Sequence, residues 1–201
     1  MAKISTVFFC QTCGAQSAKW IGKCPSCGEW NTYVEEIVQR NTSKSRSAVM
    51  QFGKSPVPHK VKEIQRGTEI RINTANQELN RVLGGGLVSG SLVLVGGEPG
   101  IGKSTLMLQV ALNIKGLKVL YVTGEESEQQ IRMRAERIGI SNEDCYILAE
   151  TTTQNIIQHI EQLQPGMVII DSIQTLRTEL IDSSAGSISQ IRECASEFKS
   201  I

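Results

Sequence analysis

Short apolar runs alternate with longer segments of helical period over the last two thirds of the chain. The apolar runs are bounded by glycine, proline, acidic or threonine-rich breakers, and they predict strands at 92–95, 118–122, 145–148 and 167–170. The segments with apolar residues at helical spacing predict helices at 103–114, 127–138, 153–163 and 187–199. Strands and helices in this alternating order are typical of an α/β fold with a parallel sheet.

Two changes in composition divide the chain. Residues 38–66 have no apolar period, include Pro56 and Pro58, and predict a linker between a small domain at 1–37 and a larger core at 67–201. Glu63 is the single acidic residue of the linker, and its basic residues are Arg40, Lys44, Arg46, Lys54, Lys60, Lys62 and Arg66. A basic tether beside a mildly acidic core indicates an anionic partner.

The overall composition narrows the class of protein. Of the 201 residues, 40% are hydrophobic and 20% charged, as in ordinary globular domains and unlike disordered chains. The longest apolar runs are far shorter than the roughly 20 residues that a membrane helix needs. The N-terminal residues lack the apolar stretch and the cleavage site of a signal peptide. We therefore expect a cytoplasmic protein with no membrane partner.

Four cysteines near the N-terminus occur as two pairs. Cys10 and Cys13, then Cys24 and Cys27, form C-x2-C-x10-C-x2-C, and a glycine follows each pair. This spacing is typical of two zinc knuckles that together supply four thiolates. Two disulfides, or four reduced thiols in a core, are the alternatives, which a reducing compartment and the small size of the segment disfavour. We expect one structural Zn²⁺ with no open coordination position.

Two tryptophans flank the second cysteine pair. We expect Trp20 and Trp30 to pack on the metal cluster, because a domain this small needs apolar cover. Stacking on nucleic-acid bases is the alternative.

A glycine-rich motif lies between the first predicted strand and the first predicted helix. Residues 97–104 satisfy G-x-x-x-x-G-K-[ST], in the strand-to-helix context that a phosphate-binding loop requires. Backbone N–H groups and the helix N-terminus would bind the phosphates of ATP, Lys103 would contact the β and γ phosphates, and Ser104 would ligate Mg²⁺. A glycine-rich turn without nucleotide is the alternative. The nucleotide-binding residues are Gly97, Glu98, Pro99, Gly100, Ile101, Gly102, Lys103, Ser104 and Thr105.

Two further predicted strands are followed by carboxylates. Asp171 follows the strand at 167–170, and we expect it to hold Mg²⁺ or a water bound to it. Glu125 follows the strand at 118–122, where it would act as the general base for the attacking water. Glu126 would instead lie in the first turn of the next helix, where the dipole favours acids, and Glu125 could have the same role.

The cysteine pairs with Trp20 and Trp30, the segment E-L-N-R-V-L-G-G-G at 78–86 and the phosphate loop together resemble the bacterial RadA (Sms) family of DNA repair proteins. The resemblance covers essentially the whole chain and implies a RecA-like P-loop ATPase core behind a four-cysteine zinc ribbon. It implies a DNA-dependent ATPase that promotes branch migration of recombination intermediates on single-stranded or branched DNA. It also implies a homo-oligomer, ring or filament, and other recombination proteins as partners. The positions that match the family's functional residues are Gly97, Lys103, Ser104, Thr105, Glu125, Asp171 and the four paired cysteines.

The resemblance also implies features that these 201 residues do not contain. The family continues with a Lys-Asn-Arg-Phe-Gly motif and a Lon-protease-like domain, and in RecA-like folds a later strand inserts between the Asp171 strand and the P-loop strand. We therefore expect an incomplete sheet, with nucleotide binding through Lys103 but weak hydrolysis or none. A nucleotide-gated DNA-binding module without useful turnover and a RecA-like regulatory kinase or clock-type ATPase are the competing functions.

Overall fold

The computed structural model describes residues 3–40, 60–63 and 70–201, and at 3–6 and 36–40 it describes the backbone alone. Most of the basic linker, including Lys44 and Arg46, therefore lies outside the described residues. The described elements are β1 (Lys3–Cys10), β2 (Gln16–Ser17), β3 (Tyr33–Arg40), β4 (Arg71–Ile72), α1 (Gln77–Val82), β5 (Leu87–Val88), α2 (Lys103–Asn113), β6 (Val119–Thr123), α3 (Glu128–Ile138), β7 (Cys145–Ala149), α4 (Thr153–Leu163), β8 (Met167–Asp171), β9 (Ile181–Asp182) and α5 (Ile188–Lys199), with 3-10 turns at Val61–Glu63 and Ile173–Thr175.

A three-stranded parallel sheet in the order β7-β6-β8 organises the core. All five residues of β6 are buried, because helices cover both faces of the sheet. Val119 and Tyr121 pack with residues of α2 and α3, whereas Leu120 and Val122 pack with residues of α4 and α5. The α/β prediction is confirmed, as are three of the four strands.

The four predicted helices are confirmed to within about a residue at each end. Their ends follow local capping chemistry, as α3 illustrates. Ser127 and Gln130 form a capping box at its start, and Gly139 ends it in the left-handed conformation at φ 74°. The longest helix, α5, has 12 residues, and no described helix is long and apolar enough to span a membrane.

The strand predicted at 92–95 is absent from the structure. Residues 91–98 have no regular secondary structure, and the side chains of this run remain open to solvent, with Leu92 68% exposed and Leu94 85% exposed. A strand needs a neighbour for its N–H and C=O groups. No described strand pairs with this run, and β8 is paired only with β6. The strand prediction at 92–95 is therefore wrong, because an apolar run alone does not supply the neighbouring strand that it needs.

The N-terminal ribbon is joined to the core by backbone pairing. Strands β2, β1, β3 and β9 form one antiparallel sheet, in which β9 comes from the segment after β8. Next to this sheet, Arg192 of α5 donates a hydrogen bond of 2.6 Å from Nη1 to the carbonyl of Gly14. Gly14 has φ 69°, and a Cβ there would lie 2.8 Å from both Arg192 and Ile188. Only glycine suits that position.

Candidate functional site

The four paired cysteines converge on one point in the ribbon. Their Sγ atoms all lie within 4.8 Å of one another, with 3.7 Å between Cys10 and Cys27 and 3.6 Å between Cys13 and Cys24. A tetrahedral zinc with Zn–S bonds of about 2.3 Å separates its sulfurs by about 3.8 Å, so the donor set fits Zn²⁺ closely. All four donors come from the chain. The cluster is therefore a closed, structural zinc site, as the spacing predicts.

The surroundings of the cluster favour the thiolate, the form that binds metal, at two of the four cysteines. At Cys27 a backbone hydrogen bond from Glu29 lowers the pKa, but burial and the hydrogen bonds with the other three thiols outweigh it and raise the pKa. Burial alone would raise the pKa of the Cys10 thiol, but hydrogen bonds from the Thr32 hydroxyl and from the backbone of Cys13 and Thr12 outweigh it and lower the pKa to about 6. Hydrogen bonds likewise lower the pKa of Cys24 against the effect of its burial. Two of the four donors are thus prepared for a cation.

The expectation that the tryptophans cover the cluster is wrong. Trp20 is 55% exposed and Trp30 is 66% exposed, and neither belongs to the buried cluster of the ribbon. The apolar cover comes from Tyr33, which is 5% exposed, together with Phe8, Ala15 and Ile21. Tyr33 lies directly after the second knuckle, where β3 begins, and its hydroxyl is 3.6 Å from Cys24 Sγ.

The phosphate loop leads into helix α2 as the motif predicts. Gly100 and Gly102 adopt φ 78° and 99°, a conformation that other residues rarely adopt. Gly102 is the N-cap of α2 and supplies no side-chain cap, so the first N–H groups of the helix are left for a ligand. Lys103 donates from Nζ to the carbonyls of Gly97 and Glu98 at 2.7 and 2.8 Å, which places its ammonium inside the loop.

The structure brings Ser104 and Asp171 together from positions 67 residues apart. Ser104 Oγ donates to Asp171 Oδ1 at 3.0 Å, and Tyr121 Oη donates to Asp171 Oδ2 at 2.7 Å. Tyr121 is fully buried, and burial followed by the hydrogen bond to Asp171 raises its pKa, so the phenol stays protonated and remains a donor. A hydroxyl and a carboxylate beside a phosphate loop are the hard oxygen ligands that Mg²⁺ prefers.

Glu125 and Glu126 have different surroundings. Ser172 Oγ donates to Glu125 Oε1 at 3.0 Å, and Glu125 is otherwise exposed at the carboxyl edge of the sheet. Glu126 forms a partly buried ion pair with Arg134 of α3. Because Glu126 is held by that pair and precedes the N-cap of α3, Glu125 is the carboxylate available to a bound water.

Close packing between Gly124 and Thr175 sets the position of Glu125. A Cβ at Gly124 would lie 1.9 Å from Thr175 Oγ1 and 2.6 Å from Thr175 Cβ, so any side chain there must displace the turn that follows β8. Gly124 also donates from its N–H to the Asp171 carbonyl at 3.1 Å. The ends of β6 and β8 therefore approach closely only because residue 124 is glycine.

We expect Gly124→Ala to destabilise the protein by about 1–3 kcal/mol, the usual cost of overpacking. Thermal unfolding measures the loss. The double variant Gly124→Ala/Thr175→Gly removes the clashing atoms and should recover most of it. A single variant as stable as the parent would contradict the close contact.

Sequence reasoning missed Tyr121, Ser172 and Thr175. Tyr121 lies within an apolar strand, where its ring predicts a core residue and nothing predicts that its hydroxyl reaches Asp171. Ser172 directly follows Asp171 at the carboxyl end of a predicted strand, and that position was the available signal.

Comparison with known proteins matches both parts of the chain. A family model described as an AAA domain matches residues 58–200, and one described as a rubredoxin metal binding domain matches residues 8–35. The chain is 50% identical over its whole length to the DNA repair protein RadA of Halalkalibacterium halodurans and 47% identical to that of Bacillus subtilis. It is also 49% identical to that of Listeria monocytogenes. It spans 44% of the length of each of these relatives. The chain therefore belongs to the AAA domain family, and from its zinc ribbon to its nucleotide-binding core its sequence resembles the DNA repair protein RadA.

Proposed function

We propose that this chain binds ATP with Mg²⁺ at the N-terminus of α2 and forms the nucleotide-hydrolysing part of a DNA-dependent ATPase in recombinational repair. The observation that carries the proposal is the 3.0 Å hydrogen bond between Ser104, in the first turn of α2, and Asp171, which ends β8. The family match, over 58–200, points to the same class of nucleotide-binding domain.

The residues at this edge of the sheet have distinct tasks in the proposed reaction. The N–H groups at the start of α2 and the Lys103 ammonium bind the phosphates, and Ser104 with Asp171 would hold Mg²⁺, which neutralises phosphate charge when bound. Glu125 accepts a proton from the water that attacks the γ phosphate. Ser172 orients that carboxylate through its hydrogen bond.

The DNA part of the proposal has separate support. The relatives at 46–50% identity are named DNA repair protein RadA, and the stretch at 38–66 has seven basic residues against one acidic residue. Contacts between Lys or Arg and phosphates would make DNA binding depend steeply on salt. On this basis the substrates are single-stranded or branched DNA, with branch migration as the outcome, and the active form is a homo-oligomer working with other recombination proteins.

Residues 92–95, which pair with no strand in the described part of the chain, favour a second candidate, a nucleotide-gated DNA-binding module with slow turnover. This run precedes the P-loop, and its exposed side chains leave the loop anchored to the sheet mainly through Ser104 and Tyr121. Phosphoryl transfer depends on in-line positioning more than binding does. We therefore infer that residues 1–201 bind nucleotide well and hydrolyse it slowly.

Nucleotide affinity and phosphate release, each with and without single-stranded DNA, test the proposal. We expect a fluorescent ATP analogue to bind in the presence of Mg²⁺ and Lys103→Ala to abolish that binding. Lys199→Ala, which removes a lysine from the last turn of α5, is the matched control and should bind normally. Unaltered binding by Lys103→Ala would refute the site. DNA-stimulated turnover by residues 1–201 equal to that of the full-length Bacillus subtilis relative would refute the slow-turnover candidate.

Tyr121 is expected to be a positioning residue for Asp171. Tyr121→Phe removes only the hydroxyl, so the carboxylate loses one of its two hydrogen bonds. Loss of a group that orients a metal ligand typically weakens metal affinity by about 10–100-fold. Nucleotide affinity measured over a range of Mg²⁺ concentrations should shift by that factor, while affinity in EDTA stays unchanged. Tyr146→Phe, on the exposed side of β7, is the control. An equal loss with and without Mg²⁺ would instead indicate a packing defect.

A further inference from the structure

Trp20 and Trp30 form an exposed aromatic pair on the ribbon. Both indoles lie close to Gly22, since a Cβ there would be 3.6 Å from the Trp20 ring and 3.8 Å from the Trp30 ring. Trp20 is 55% exposed and Trp30 is 66% exposed, so neither indole is buried against the apolar cluster of the ribbon. Exposed aromatic side chains held side by side mark an interaction site.

Two lysines lie close to these tryptophans in the chain. The Lys23 ammonium lies 5.5 Å from the centre of the Trp30 ring, within cation–π distance. Lys19 and Lys23 are both exposed, and Glu29 is the one acidic residue between positions 19 and 30. Aromatic faces that alternate with exposed lysines combine base stacking with neutralisation of phosphate charge, as in proteins that bind single strands without reading sequence.

We propose that Trp20 and Trp30 are a stacking platform on which the ribbon binds the bases of single-stranded DNA, with Lys19 and Lys23 contacting the flanking phosphates. The identity of the polymer rests on the proposed function, while the platform rests on the indole geometry. The pairing of β3 with β9 and the Arg192 hydrogen bond to Gly14 connect the platform to the core. Because β9 and α5 belong to the segment that follows Asp171, single-stranded DNA bound at the platform is held at a fixed place relative to the nucleotide site.

The test uses the zinc-loaded chain and its own fluorescence. Trp20 and Trp30 are the two tryptophans of the 201 residues, so all tryptophan emission reports on the platform. Titration with a thymidine oligonucleotide should quench this emission along the same curve as the anisotropy of a labelled oligonucleotide. Trp20→Ala and Trp30→Ala should each weaken binding on the order of tenfold. Trp30→Phe should retain most of the affinity, and Trp30→Leu should lose it, because leucine is apolar but cannot stack.

Controls separate this inference from the proposed function. Zinc content equal to the parent shows that each variant ribbon is folded, and Tyr146→Ala removes an exposed aromatic residue from β7 without effect on DNA. DNA binding without quenching, or equal affinity of Trp30→Leu and Trp30→Phe, would overturn the platform while leaving the proposed function intact. Absence of DNA binding in both readouts, with normal ATP binding, would overturn both the platform and the DNA part of that function.

Discussion

Cys24→Ser should release the zinc and unfold the ribbon. Cys24 is 1% exposed and lies 3.6 Å from Cys13, so its thiolate closes the donor set from the inside. Structural zinc in small domains contributes about 10–16 kcal/mol of binding free energy, which equals or exceeds the whole stability of a typical domain. The apolar side chains around the cluster are few, chiefly Tyr33, Phe8 and Ile21, and cannot replace that contribution.

Elemental analysis and limited proteolysis measure this result. We expect zinc to fall from one per chain to none, and protease sites to open within residues 8–35. Cys145→Ser is the matched control, because Cys145 lies on β7 and burial raises the pKa of its thiol, which keeps it protonated. The core clusters contain no ribbon residue, so nucleotide binding should survive. Undiminished zinc in Cys24→Ser under reducing conditions would contradict the site.

Glu125→Gln should leave nucleotide binding intact and slow hydrolysis by roughly 10²–10⁴-fold, the usual contribution of a general base. Glutamine keeps the shape and can still contact Ser172, but it cannot accept the proton of the attacking water. A single-turnover measurement with protein in excess over ATP detects rates too slow for multiple turnover. The affinity of a fluorescent ATP analogue, measured in parallel, should change little.

Glu126→Gln is the matched control for this substitution. It weakens the ion pair with Arg134, whose Nη1 is already buried without a partner among the described residues, and should therefore lower stability with little effect on hydrolysis. Hydrolysis by Glu125→Gln within threefold of the parent would remove Glu125 as the base. A larger loss in Glu126→Gln than in Glu125→Gln would reverse the assignment of the two carboxylates.

Local signals in the sequence predicted most of the elements and the zinc cluster. Cysteine spacing, the glycine-rich loop and capping residues such as Ser127 and Gly139 act over a few positions, so they can be read directly. The parallel strands followed from apolar runs bounded by breakers. The prediction was wrong at 92–95, where an apolar run signals a strand but the strand needs a neighbour that the run itself does not specify.

Other features depend on tertiary contacts that no local pattern encodes. The hydroxyl of Tyr121 reaches Asp171 because β6 and β8 lie in parallel register, with Thr123 opposite Asp171. Tyr33, and neither Trp20 nor Trp30, packs against the cysteines, and composition alone does not reveal which aromatic residue does so. The pairing of β9 with β3 joins residues far apart in the chain. Because β9 has only two residues, its sequence is too short to show a strand pattern.

The bond between Arg192 and Gly14 spans 178 positions of the chain, and this separation orders events during synthesis. Contacts within the ribbon close over fewer than 40 residues, so it can bind zinc as soon as it leaves the ribosome. Helix α5 begins 148 residues after the end of β3 and emerges roughly 7–30 s later at translation rates of about 5–20 residues per second. Throughout that interval the edge of β3 that will receive β9 is a bare strand edge, open to pairing with a neighbouring nascent chain. Slow translation of the residues after β3 would therefore promote pairing between the β3 edges of different copies before β9 can cover that edge.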